Sequence, residues 1–103
     1  MDPAEQLARL YAAGFEVQTF ERYPRTLGVL RYGAIALVEP TPEGLRLVGV
    51  PGWRMGEVMG VLLEEGGRQV FRAKAEVVDA TPERIEAVGR LRRELEEVLA
   101  ARA

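Results

Sequence analysis

Arginine and tyrosine crowd one stretch of the chain, "ERYPRTLGVLRYG" (residues 21–33), which carries Arg22, Tyr23, Arg25, Arg31 and Tyr32 and no acid after Glu21. Guanidiniums pair with phosphates and phenol rings stack on bases, so this composition on a sheet is one way to hold a single-stranded nucleic acid. Against it stand the small number of arginines and a net charge of -2 over the whole chain, which exerts no global pull on a polyanion. Which side of the strands the tyrosines face decides the matter. Exposed beside the arginines they favour nucleic acid, and buried they favour contact with protein.

A second stretch, "GVPGWRMGEVMG" (residues 49–60), holds the only tryptophan, two of the three methionines and four of the eleven glycines. A strand, a "PGWR" turn and a following helix would offer free N–H groups to an anion, with Gly52 and Arg54 as the binding residues. No phosphate-loop spacing supports this site. The competing explanation is packing: Pro51 and Gly52 turn the chain, Trp53 covers the core, and Gly56 and Gly60 let another backbone approach. Glu57, Glu64, Glu65 and Glu76 are candidate acids or metal ligands, but adjacent helical residues diverge by about 100°, so Glu64 and Glu65 do not converge on one atom. Tyr23, Tyr32 and Lys74 complete the possible donors.

The chain has no cysteine, histidine, serine or asparagine. That removes thiolate nucleophiles, disulfides, histidine bases, Ser-His-Asp triads and Cys/His zinc sites. A metal would need carboxylates and carbonyls, the ligands of magnesium, calcium or manganese. The inventory calls for no metal and no cofactor, and it argues against an enzyme. Of 14 basic residues only Lys74 is not arginine, and of 16 acidic residues only Asp2 and Asp79 are not glutamate. Such a balance, with neither asparagine nor cysteine, is that of a thermophile's protein. With no apolar run near the ~20 residues of a membrane span, and an acidic start, the expected location is cytoplasmic.

The length of 103 residues suits a single α+β domain. "DPAEQLARLYAAG" reads as a helix with Asp2 as N-cap, Pro3 at its first position and Gly14 as its stop. "FEVQTFERY" alternates as a half-buried strand, "TLGVLRYGAIALVE" reads as one central strand, and "LRLVGV" returns from the "PTPEG" turn. In residues 53–65, Met55, Val58, Met59, Leu62 and Leu63 share one face at 100° per residue, whereas period two separates nothing. The sequence therefore favours a helix there, despite a cost of about 1 kcal/mol for each interior glycine. "QVFRAKAEVVDA" reads as one strand with Phe71, Ala73, Ala75 and Val77 inward, and "TPERIEAVGRLRRELEEVLAARA" as a long helix striped by Ile85, Val88, Leu91, Leu95 and Val98.

The expected order is α-β-β-β-α-β-α, a two-layer α+β fold with an antiparallel four-stranded sheet. The alternative has five strands, with residues 58–79 forming a hairpin turned at "EEGGRQ". Surplus apolar helix surface suggests a homodimer, or contact with another protein, through Trp53, Met55, Met59 and Leu63 or through the C-terminal helix.

Overall fold

The computed structural model describes residues 2–100. Two helices flank one antiparallel meander: α1 (Pro3–Ala12), β1 (Glu16–Gln18), β2 (Leu27–Arg31), β3 (Ala34–Thr41), β4 (Gly44–Met55), β5 (Val58–Glu65), β6 (Arg68–Ala73), β7 (Glu76–Asp79) and α2 (Pro82–Ala100). The seven strands lie in a curled half-barrel in the order of the sequence. The mixed α+β class stands, but the expected four-stranded sheet does not, and neither does the five-stranded alternative, although its hairpin turn at Gly66 and Gly67 is where β5 meets β6.

Three local choices account for the difference. Tyr32 and Gly33 turn the chain between β2 and β3 with φ of 60° and 82°, so the expected central strand is two. Positive φ at both central residues is what a tight hairpin needs. Lys74, at φ 55°, turns β6 into β7, so the expected strand over 69–80 is also two, and Ala75 and Val77 are exposed rather than inward. Residues 53–65, expected as a helix, finish β4, turn at Gly56 (φ 67°) and form β5. The expected first strand shortens to Glu16–Gln18, and the segment after it folds over the sheet.

The helices form where the sequence marks them. The Asp2 carboxylate accepts from Ala4 N–H at 3.0 Å, and the Thr81 hydroxyl accepts from Arg84 N–H at 3.3 Å, each capping otherwise free donors. Leu10 of α1 and Leu91 and Leu95 of α2 are fully buried against Val29, Ala34, Ala36 and Val38. Each leucine contributes about 1.5–3 kcal/mol of burial. The opposite face of β3 presents Ile35 and Leu37, which the 19–26 segment covers with Phe20 and, partly, Tyr23. Gly28 lies under that segment because a Cβ there would collide with the Phe20 ring.

The curl has its own cause. Between Ile35 and Leu37 β3 has one residue, whereas the matching part of β4, from Val48 to Gly52, holds Gly49, Val50 and Pro51. The surplus bulges out and bends the strand. Pro51, which has no N–H to give a ladder, sits in this irregularity rather than in the regular part of β4. Beyond the bend Gly52 and Gly60 let β4 and β5 close up. A Cβ on Gly52 would lie well inside 3.0 Å of the Gly60 carbonyl oxygen. β5 then exchanges partners: Val58, Met59 and Gly60 pair with β4, and Val61 to Glu65 pair with β6.

Candidate functional site

The five arginines and tyrosines proposed for nucleic acid do not share a face. Tyr23 packs with Phe20, Ile35 and Leu37, and its hydroxyl accepts from Met59 N–H at 3.2 Å. Tyr32 packs on the other side of the sheet, with the α1 and α2 core. Arg22 and Arg25 are exposed in the 19–26 segment, while Arg31 turns toward α2. The strands thus scatter the stacking and pairing groups over two sides of the sheet.

Around Tyr32 the structure builds a polar cluster that the sequence did not announce. The Tyr32 hydroxyl donates to the Glu94 carboxylate at 2.8 and 3.0 Å, and the same carboxylate receives Arg90 at 3.0 Å and Arg31 at 3.3 Å. The ring lies between two guanidiniums, with Arg90 at 4.5 Å and Arg31 at 4.9 Å from its centroid. Hydrogen bonding from Tyr32, then from Arg90, together with the nearby charge of Arg31, holds the Glu94 carboxyl below the ordinary carboxylate range. Arg31 also donates to the Ala13 carbonyl and lies 5.3 Å from the Phe15 ring centroid. A tyrosine in left-handed backbone costs about 1 kcal/mol, which these contacts offset. In the sequence Arg90 and Glu94 show only opposite charges four residues apart in the C-terminal helical segment.

Trp53, Met55, Met59 and Leu63, expected to share a helix face, are divided by the strands. Trp53 stacks on Phe71 with ring centroids 6.1 Å apart and has Arg84 at 5.6 Å. Met55 is buried with Phe71 and Ala80. Met59 packs on the opposite side, with Ile35 and Leu37, and Leu63 is exposed. Gly52 is buried and makes no anion-binding turn. Arg54 donates to the Gly56 carbonyl at 3.1 Å and to Gln18 at 3.4 Å, with the Phe20 ring centroid 5.8 Å away.

The open apolar surface lies elsewhere on the same segment. Val61, Leu62 and Leu63 are 51%, 40% and 41% exposed, and Val50, at the tip of the bulge, is 67% exposed. Beside them is a cavity of 240 Å³ lined by Val50, Pro51, Leu62, Phe71, Ile85 and Val88, where α2 and the curling sheet diverge. The run "VLL" in the sequence was the available signal for this surface. Its two leucines were absorbed there into a helical stripe to which Val61 does not belong.

The carboxylates do not gather. Glu57, Glu64 and Glu76 are exposed, and Glu65 is engaged by Arg72 at 2.5 and 2.7 Å across the β5–β6 hairpin. That fork-to-fork hydrogen bonding lowers the Glu65 pKa and raises that of Arg72. Lys74 is exposed at its turn, and its carbonyl accepts from Arg72 at 3.1 Å. Among the described residues no three acidic groups come together as a metal cage, and no helix is long and apolar enough to cross a membrane.

These features define a small α+β protein: a curled antiparallel meander closed on one face by two helices, with an apolar strand left open. Compared with known protein families, curated proteins and solved structures, the chain matches none.

Proposed function

We propose that the chain is a non-catalytic cytoplasmic protein that acts through protein–protein contacts and forms a homodimer through β5 and the neighbouring bulge. The observation that carries this is the exposure of three successive apolar residues, Val61, Leu62 and Leu63. Successive strand residues point to opposite faces, so both faces of β5 hold apolar side chains in water. Scattered surface hydrophobics are ordinary, but a contiguous group with a pocket beside it marks a contact surface. Trp53 and Met55 brace this surface from within. A two-fold dimer needs a self-complementary patch, and here a protruding Val50 stands next to the cavity that can receive an apolar side chain. The absence of histidine, cysteine and serine supports a role without catalysis.

Sedimentation of the wild-type chain is expected to give a dimer at micromolar concentration, and Leu62→Glu with Leu63→Lys a folded monomer. A wild-type monomer at millimolar concentration overturns the proposal. The same proposal includes a thermophilic source, which the arginine- and glutamate-rich composition supports.

A further inference from the structure

We propose that two copies of the chain join edge to edge through β5, with residues 61–65 of one pairing antiparallel with 61–65 of the other about Leu63, so that two sheets become one. The inference rests on the homodimer proposed above and supplies its register.

The ladders fix where the backbone groups of β5 point. The Ala80 N–H donates to the Gln69 carbonyl at 3.0 Å, so the odd-numbered residues of β6 turn their N–H and C=O to β7 and the even-numbered ones turn theirs to β5. Val61 lies opposite Arg72, Leu63 opposite Val70 and Glu65 opposite Arg68, so these three residues of β5 spend their backbone groups on β6. Leu62 and Glu64 direct theirs the other way, along the edge where Val58 and Gly60 meet β4. The pairing with β4 ends at Trp53 and Gly60. The next residue of β4 in line to bond Leu62 is Pro51, which has no N–H to give, and the 240 Å³ cavity opens between the two. Val61, Leu62, Leu63 and Glu64 are all exposed.

The other edges of the sheet are blunted. β1 is three residues long with Glu16 and Gln18 exposed, and β7 is four residues long with Glu76 and Asp79 exposed. Short, polar edges of this kind resist pairing. On the open side of β4 the Leu45 N–H is already given to the Gln6 side chain, and the Gly49–Pro51 bulge follows. β5 from Val61 to Glu65 has neither a proline nor a bulge in its pairing with β6, and three of its five residues are apolar.

A second copy fits this edge in one register. Only Leu62 and Glu64 present bonding groups, so each must face one of these two in the second copy. Pairing about Leu62 drives Glu64 of the second copy toward Gly60, whose edge Trp53 already fills. Pairing about Glu64 sets two like charges directly opposite, which is destabilising. Pairing about Leu63 avoids both faults: Leu62 exchanges its two backbone bonds with Glu64 of the second copy, Leu63 meets Leu63, and Val61 meets Glu65, whose charge Arg72 already balances. The overlap runs from the end of β4 pairing to the turn at Gly66, and Leu63 is its midpoint. Because the contact is two-fold it consumes both edges, and assembly stops at two.

The native chain has no cysteine, so single introduced thiols read the register under a mild thiol oxidant. Leu63→Cys is expected to give a disulfide-linked dimer, since residues opposite in a non-hydrogen-bonded pair have Cα atoms about 4.5 Å apart, within disulfide reach. Leu62→Cys and Glu64→Cys are offset from their own copies by about 7 Å along the strand and Glu65→Cys by about 13 Å, so these three are expected to stay unlinked. Glu64→Pro removes only an N–H that faces the second copy, and sedimentation is expected to show dimerisation weakened by about tenfold or more, while Glu64→Ala leaves it unchanged. If Glu64→Pro does not fold, the disulfide pattern decides alone. A sedimenting dimer in which Leu63→Cys does not link, or links no better than Leu62→Cys or Glu64→Cys, overturns the edge pairing and leaves the homodimer standing. A chain monomeric at millimolar concentration overturns both.

Discussion

The hydroxyl of Tyr32, a residue in left-handed backbone at a hairpin turn, donates to both oxygens of Glu94, three turns into α2, at 2.8 and 3.0 Å. This links the β2–β3 turn to the helix that closes the sheet. Because the Glu94 pKa is lowered in the folded chain, the folded state binds this proton less readily than the unfolded one. The resulting stability is fully present above the ordinary carboxylate pKa of about 4.3 and is lost as pH falls through the lower folded value. Thermal melts between pH 7 and pH 2 should show an acid-side decline that is shallower in Glu94→Gln. Identical acid slopes in the two proteins would contradict this linkage.

Glycine substitutions separate strand from helix in residues 52–60. In a helix, Gly56→Ala and Gly60→Ala would each stabilise by about 1 kcal/mol. In the structure a Cβ on Gly52 meets the Gly60 carbonyl oxygen, and one on Gly60 meets Met55 Sδ and, at 3.3 Å, Phe71 Cβ. Gly52→Ala should therefore destabilise by about 3 kcal/mol, and Gly60→Ala by about 1–3 kcal/mol because the methionine can move. Gly56→Ala meets open space, but at φ 67° it should cost about 1 kcal/mol. Urea denaturation of the three variants ranks them.

Phe71, 1% exposed, joins the Trp53 ring to the N-terminal part of α2. Phe71→Ala should cost about 3–5 kcal/mol and alter Trp53 emission, measured in a single fluorescence-detected denaturation.

Gln6, 4% exposed, accepts from Leu45 N–H at 2.5 Å and donates to the Leu99 carbonyl at 3.4 Å. Gln6→Leu keeps the volume but strands the buried Leu45 amide, so a loss of about 1–3 kcal/mol is expected, with faster hydrogen exchange at Leu45.

If the composition reflects growth at high temperature, calorimetry should place the unfolding midpoint well above the ~45–65 °C of mesophile domains. A midpoint inside that range removes the thermophile proposal.

Both helices were legible because their caps are local: Asp2 and Pro3, Thr81 and Pro82. The turns at Tyr32 and Lys74 were not, since neither leads with a residue that prefers positive φ, and the contacts that hold Tyr32 there come from the distant α2. β5 was misread for a different reason. Alternation appears when one face of a strand is covered along its length, but β5 pairs with β4 for three residues and with β6 for the next five, and its exposed apolar residues fall on both faces. The Tyr32 cluster escaped because Arg31 and Glu94 meet only when α2 lies down on the sheet.

The order in which the sheet is laid out has a consequence for synthesis. Every strand pairs with its neighbour in sequence, so the meander can close as it leaves the ribosome, hairpin by hairpin. The larger of the two covering helices comes last: until Leu91 and Leu95 arrive, the apolar face of Val29, Ala36 and Val38 has only α1, through Leu10, to cover it. The nascent protein is most prone to aggregate in that interval, and a chain stalled before residue 82 would hold it there indefinitely.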